Sequence, residues 1–422
     1  LKEAELSYRK AIDIKPDHAE AYSNLGNVLR NLGKLKEAEL SYLKATEINP
    51  NYAEAHSNLG NVYRDIGNFQ KAESSYLKAI EINPNYSKAY FSLSLLQYSD
   101  KKKLWQDQLF SESILKNISK KDKIDIYFAR ANIFHTAKNY KESSRYLQLA
   151  NNLKLSIYPS TYFTDKILNY TKGLLFETNK KNNKEEKINS HEGIFIVGMP
   201  RCGSTLVESI ISMKNDVYDL GETNIFEEAF REYKNSKEDL NLDEIYWGKI
   251  NKITDLNITT NKFLYNYQYS GIISQHIPNA KIIHCFRHPF DNILSIYRAH
   301  FTEGNEYSSS LIDSAKVYLH QEELMNKYKN RFRSKIYDFN YDLLVSNPNQ
   351  EIKSLISWLG WNWEDKYLSP HLNPRSVTTA SNVQVRSPIN TKSLGGWKNY
   401  KEMLRPAMEI ITQNDKYKYL KY

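Results

Sequence analysis

Small and apolar positions return with a fixed period through the first ninety residues. Laid over one another, Ala19–Pro50 and Ala53–Pro84 match at a separation of 34 residues. Tyr22, Leu25, Gly26, Gly33, Ala38, Tyr42, Ala45 and Pro50 come back as His56, Leu59, Gly60, Gly67, Ala72, Tyr76, Ala79 and Pro84. An earlier half-copy supplies Ala4, Tyr8, Ala11 and Pro16, and another copy begins near Tyr90 and decays. A degenerate copy runs from about Asp125 to Ala150, with Tyr127, Phe134 and Tyr140 at packing positions. Each unit of such an array buries its apolar face only against its neighbours, so the pattern predicts a curved solenoid. From Gly193 the pattern changes: Gly-Ile-Phe-Ile-Val is a short β-branched run closed by Gly198, which predicts a buried strand. A turn and a helical stretch from about Ser204 to Met213 follow it. Lys281–Phe286 and Lys335–Phe339 predict two more buried strands, with helical patterns between them. Strands that alternate with helices imply a parallel α/β sheet. Asn179–Ser190, rich in Lys, Asn and Glu, predicts an exposed linker.

The 34-residue pattern resembles the tetratricopeptide repeat, a helix pair in which small residues let two helices approach and bulky ones fill the gap. That resemblance implies a protein or peptide partner on the repeat arm. The chain therefore reads as an α-helical solenoid of tetratricopeptide repeats followed by an α/β P-loop-like domain with a parallel sheet. The expected boundaries are 1–150 for the solenoid, 151–190 for a helical connection and linker, and 191–422 for the sheet domain.

Composition narrows the class. A chain of 422 residues exceeds one ordinary core and predicts two or three domains. It is 41% hydrophobic and 13% aromatic, with 32 Tyr, yet no run of eighteen apolar residues predicts a membrane span. A net charge of +9 favours an anionic ligand. The basic residues are spread along the chain with no nucleic-acid-binding motif, so no nucleic acid is expected as a partner. Cys202 and Cys285 are the two cysteines, which excludes a disulfide framework and fits a reducing, cytoplasmic compartment. The chain opens at Leu1 in mid-pattern without an initiator Met and reads as truncated, which leaves a targeting segment open. The richness in Lys, Asn and Ile fits an AT-rich, bacterial genome. No metal-ligand spacing joins the His residues, so no metal is expected.

Gly198-Met-Pro-Arg-Cys-Gly203-Ser204-Thr205 has the glycine spacing of a P-loop, after a strand and before a helix. Successive amides in such a loop form an anion-binding nest, backed by the positive end of the following helix. A nucleotide kinase would carry Lys after the second Gly, where this chain has Ser204; the loop's cation is Arg201 instead. Pro-Arg-Cys-Gly-Ser-Thr-Leu resembles the loop of tyrosylprotein sulfotransferases and related bacterial sulfotransferases, which grips the 5′-phosphosulfate of 3′-phosphoadenosine 5′-phosphosulfate. By that resemblance Arg201, Cys202, Gly203, Ser204 and Thr205 hold the donor. Cys202 stands where the family has Ser or Thr and is expected to be a passive small side chain.

Further segments resemble the same family. Arg287 opens Arg-His-Pro-Phe-Asp-Asn-Ile-Leu-Ser295 after a predicted strand, and the resemblance makes Arg287 and Ser295 the 3′-phosphate contacts. A guanidinium at a strand end and a Ser two turns into the next helix can converge on one phosphate. Glu222, 21 residues after Arg201, matches the family's general base, a carboxylate able to take the proton of a poorly nucleophilic hydroxyl. Lys262, 25 residues before Arg287, matches the lysine that stabilises charge on the oxygen between sulfur and the leaving phosphate. The family then reads Asp-Pro or Met-Pro, whereas this chain has Phe263-Leu264. Ser381–Asn390 resembles the segment that closes over the cofactor, anchored by Trp397. Ser381 takes the place of the second stabilising residue there, and Arg386 is a further phosphate candidate. Lys398 is a possible substitute for the family's Lys before the Trp, where this chain has Gly396. Tyr341 resembles the family tyrosine near the nucleotide, with packing at a strand end as the other reading.

The expected function is in-line sulfuryl transfer from 3′-phosphoadenosine 5′-phosphosulfate to an acceptor hydroxyl on a peptide, sugar or small molecule, peptide tyrosine among them. The product is adenosine 3′,5′-bisphosphate. Two other classes stay open: a P-loop nucleotide-dependent kinase, and a non-catalytic scaffold in which the repeats do the work.

Overall fold

A computed structural model describes residues 1–96, 102–179, 191–236, 241–301, 304–373, 375, 377 and 381–420. The chain divides into two compact units, Leu1–Tyr158 with Pro374–Arg386, and Pro159–Asn373 with Ser387–Tyr422. Most of the expected linker, 180–190, lies outside the described residues.

In the first unit the 34-residue pattern becomes helix pairs, Ala19–Asn31 with Leu35–Ile48 and Ala53–Ile66 with Phe69–Ile82. The repeated Gly and Tyr explain each other. A Cβ on Gly26 would lie 2.8 Å from the Tyr42 ring, and one on Gly60 would lie 2.6 Å from the Tyr76 ring, so the glycine makes room for the ring in both pairs. Both rings are fully buried. Their hydroxyls are satisfied by donation to Asn27 Oδ1 at 2.7 Å and Asn61 Oδ1 at 2.9 Å. The decayed copies are helical too, at Ser87–Leu95, Lys102–Phe110, Lys120–Thr136 and Tyr140–Ile157. Phe134 stacks on Tyr146, 5.6 Å between centroids, so its predicted packing position is used.

Five parallel strands form the sheet of the second unit: β1 Glu192–Gly198, β2 Val217–Asp219, β3 Ile258–Asn261, β4 Ala280–Phe286 and β5 Ile336–Asn340. Their order is β2-β3-β1-β4-β5, with β1 at the centre. β1, β4 and β5 fall where the apolar runs place them. β2 and β3 have no such run; β3 reads Ile-Thr-Thr-Asn, and Thr259 and Thr260 are fully buried. Successive side chains of a strand face opposite sides. Phe195 and Val197 therefore join Phe226, Tyr246 and Ile282 in one core, while Ile194 and Ile196 join Val207, Ile283 and Phe339 in the other. Both faces are covered, as a parallel sheet requires. Among the described residues no helix is long and apolar enough to cross a membrane.

Candidate active site

Each of the five strands delivers one candidate residue just beyond its C-terminal end: Arg201 after β1, Glu222 after β2, Lys262 after β3, Arg287 after β4 and Tyr341 after β5. Open parallel sheets bind ligands outside these ends, where neighbouring connections leave the sheet on opposite faces.

The loop after β1 bends through left-handed backbone at Gly198 (φ 145°), Arg201 (φ 67°) and Gly203 (φ 95°). A Cβ on Gly198 would lie 2.2 Å from the Cys285 carbonyl oxygen, and one on Gly203 would lie 2.3 Å from the Tyr341 ring. Both positions thus need glycine twice over, for conformation and for space. The Cys202 amide closes the turn onto Met199 O at 3.3 Å, and its side chain is packed into the core below the loop. The helix Ser204–Ile211 then starts without a side-chain cap. First-turn amides have no partner within their own helix, which suits this end to an anion.

Arg201 donates from Nε to Ser295 Oγ at 3.2 Å, so the loop cation and the serine of the helix Pro289–Tyr297 meet directly. Burial, and after it the nearby Arg287 and Arg298 guanidiniums, push Arg201 down to about 10. Three cations gathered on a glycine-lined loop fit a ligand with more than one negative group. Asn292 ties the halves of the site together by donating from Nδ2 to Pro200 O at 2.9 Å.

Arg287 is buried and lies over the Tyr341 ring, 4.8 Å from its centroid. It donates from Nη2 to Ser393 O at 2.8 Å, and the Tyr341 and Ser393 hydroxyls are 2.8 Å apart. Asp291 holds the same downstream segment through the Gly395 amide at 2.8 Å and the Trp397 amide at 2.9 Å. Trp397 stacks on His288, 5.5 Å between centroids, and Lys398 is exposed.

On the other side of β1, backbone pairing of β2 with β3 continues past the strands. The Lys262 amide donates to Gly221 O at 2.9 Å, which sets Glu222 beside Lys262. Asn261 fixes that turn by donating from Nδ2 to Thr223 O at 3.1 Å and Thr223 Oγ1 at 3.0 Å. Lys262 Nζ is 2.6 Å from Glu222 Oε1 and 3.7 Å from Glu208 Oε2. Burial lowers the Lys262 ammonium, but Glu208 first and Glu222 second outweigh it, leaving Lys262 above its ordinary value.

Ser381 and Arg386 belong to the compact unit of the repeats, not to that of the sheet. There Arg386 donates from Nη2 to Arg375 O at 2.6 Å and to Asp65 O at 3.4 Å. Among the described residues no group of three or more His, Cys, Asp or Glu side chains could hold a metal ion.

Residues 242–365 match the sulfotransferase family, and 1–33, 26–67 and 53–86 match the tetratricopeptide repeat. The chain carries a sulfotransferase domain behind tetratricopeptide repeats.

A relative from Aquifex aeolicus (strain VF5), described as an uncharacterized protein, is 28% identical over 251 residues, 54% of this chain and 33% of the relative. Protein-tyrosine sulfotransferase 2 of Gallus gallus is 25% identical over 236 residues, 48% of this chain and 62% of that protein. The chain thus spans a third of the first relative's length and less than two thirds of the second's. The sulfotransferase domain from the curacin biosynthetic pathway is 17% identical, with a TM-score of 0.39 over 52% of this chain and 97% of that one.

Around these candidates the structure also places residues that sequence reasoning passed over. Asp291 and Asn292 lie inside the quoted Arg287–Ser295 segment but were given no role there, and Asn261 and Ser393 were not singled out; each works through a partner distant in sequence, such as Asn292 on Pro200. Glu208 sits inside an apolar helical run and could have been found only by asking why a carboxylate is there.

Proposed function

We propose that this sulfotransferase domain moves a sulfuryl group from 3′-phosphoadenosine 5′-phosphosulfate to an acceptor hydroxyl, in line and without a covalent intermediate on the protein. The observation that carries the reading is the contact of the buried Lys262 ammonium with the half-exposed Glu222 carboxylate at 2.6 Å, on strand ends beside the phosphate loop. Glu222 takes the acceptor's proton, and Lys262 supplies positive charge where the departing oxygen gathers negative charge. Arg201, with the backbone of Cys202 and Gly203 and the first turn at Ser204 and Thr205, holds the 5′ end of the donor. Arg287 and Ser295 hold its 3′-phosphate, and Tyr341 braces Arg287 by lying under its guanidinium. The roles given to Ser381 and Arg386, a second stabiliser and a further phosphate contact, rest on the family resemblance alone.

The printed name of the Gallus gallus relative makes a peptide tyrosine the first acceptor to try. The repeat arm is then the place for a protein or peptide partner. The test is incubation of the full chain with sulfur-labelled donor, a tyrosine-containing peptide and, separately, a cell extract. Labelled product that disappears in Glu222→Ala is expected. Label transfer that survives Glu222→Ala, or turnover of ATP with Mg²⁺ in place of the sulfate donor, contradicts the reading.

A further inference from the structure

Glu208 lies in the second turn of the helix after the phosphate loop, in the run Leu-Val-Glu-Ser-Ile-Ile that otherwise packs against the sheet. Its side chain is 1% exposed. A helix that only had to pack would not seal a carboxylate in this position, because an ionised group loses its hydration there. The Glu208 carboxylate faces Lys262 Nζ at 3.7 Å, and Glu222 faces the same ammonium at 2.6 Å. The two carboxylates differ in exposure: 1% for Glu208 and 53% for Glu222. One is fixed on a helix inside the protein; the other stands on a turn open to solvent.

We propose that Glu208 is a positioning residue of the transfer site, the permanent counter-charge that keeps Lys262 protonated and in place while Glu222 takes up the acceptor's proton. The inference rests on the transfer reaction proposed above. In that step Glu222 receives the proton that leaves the acceptor oxygen as this oxygen bonds to sulfur. Lys262 faces the phosphate oxygen that keeps the electron pair of the broken S–O bond. Once Glu222 is neutral it no longer balances Lys262, and a buried ammonium without a counter-charge tends to give up its proton. Glu208, sealed from the acceptor, takes no part in that exchange. The division of labour explains why one lysine has two carboxylates: the exposed one handles the proton and the buried one holds the charge. It also explains why Glu208 is on the phosphate-loop helix, since the same rigid element then sets both the donor's anion site and the orientation of the lysine.

The test uses the full chain with Glu208→Gln, which keeps the shape and removes the charge. Two probes need no identified acceptor: calorimetric binding of adenosine 3′,5′-bisphosphate, and slow release of labelled sulfate to water from 3′-phosphoadenosine 5′-phosphosulfate. Bisphosphate affinity at pH 7 should change by less than about 3-fold, because the substitution keeps the side chain's shape and leaves Arg201, Arg287 and Ser295 in place. The maximal release rate should fall on the order of 10- to 100-fold. The alkaline limb of its pH profile should move at least about one unit lower, because Lys262 then loses its proton sooner. Glu208→Asp should restore the limb. A second readout is independent of turnover. Glu208→Gln should lower the thermal midpoint of the wild-type chain but raise it in Lys262→Ala, where it removes a buried carboxylate that has lost its cation. An alkaline limb unmoved by Glu208→Gln, or equal lowering of the midpoint in both backgrounds, overturns the role of Glu208. A wild-type chain that binds no bisphosphate overturns the transfer reading instead.

Discussion

The two compact units use the same steric device for different ends. In the repeats a glycine gives way to a tyrosine ring twice, Gly26 to Tyr42 and Gly60 to Tyr76, and the result is a tight helix pair. In the sheet unit Gly203 gives way to Tyr341, and the result is a platform under Arg287 at the mouth of the phosphate loop. The repeated pair makes a surface of stacked units in which the loss of one contact is shared among neighbours. At that mouth one glycine, one ring and one guanidinium meet; another pair of the sheet unit, Gly271 against the Tyr328 ring, belongs to the apolar core instead. Substitution at Gly26 or Gly60 should therefore cost stability, and substitution at Gly203 function as well.

The largest effect belongs to the chemistry. Lys262→Ala should lower labelled transfer by about 10²–10³-fold with bisphosphate affinity little changed, measured by single-turnover kinetics beside calorimetry. An equal loss of affinity and rate would mean that Lys262 serves binding and would blur the contrast between the units. Next comes Gly203→Ala, which forces a side chain into left-handed backbone and against the Tyr341 ring. It should destabilise the sheet unit by about 1–3 kcal/mol and weaken bisphosphate binding at least 10-fold. Gly60→Ala meets the Tyr76 ring in the same way and should cost about 1–3 kcal/mol in the repeats, with bisphosphate affinity unchanged. Loss of affinity in Gly60→Ala would show that the device is not local.

The smallest effect is one of acidity. Asp338 is pushed up by burial, but hydrogen bonding with His284 and the Lys329 and Arg333 cations hold it well below the usual carboxylate range. A carboxylate depressed in the folded chain stabilises it above the unfolded value, about 4, and that contribution fades as pH falls below it. Asp338→Asn should therefore lower the thermal midpoint at pH 7, with the difference from wild type shrinking toward pH 3. A difference that stays constant across this range would mean that the charge of Asp338 is not what matters.

Sequence legibility followed the same divide. The repeats were readable because period multiplies the signal, and β1, β4 and β5 because β-branched runs mark strands buried on both faces. β2 and β3 escaped because Val-Tyr-Asp and Ile-Thr-Thr-Asn are too short and too polar to make an apolar run. Arg201, Glu222, Lys262, Arg287 and Tyr341 were singled out through the family resemblance, and in the structure each follows a strand. What holds them was invisible. Asn261, Asn292 and Asp291 act across the sheet rather than along the chain, and nothing near Arg386 announces that it meets Asp65, 321 residues away. Glu208 was hidden for the opposite reason, since its neighbours spell an ordinary buried helix.

The proposed transfer makes one demand above the others, that the domain read both ends of a doubly phosphorylated adenosine. Calorimetric titration of the full chain with adenosine 3′,5′-bisphosphate and with adenosine 5′-monophosphate measures this directly. The account predicts that the bisphosphate binds at least about 10-fold more tightly, and that Arg287→Ala removes most of the preference. Equal affinities for the two nucleotides, or a preference that survives Arg287→Ala, would contradict it.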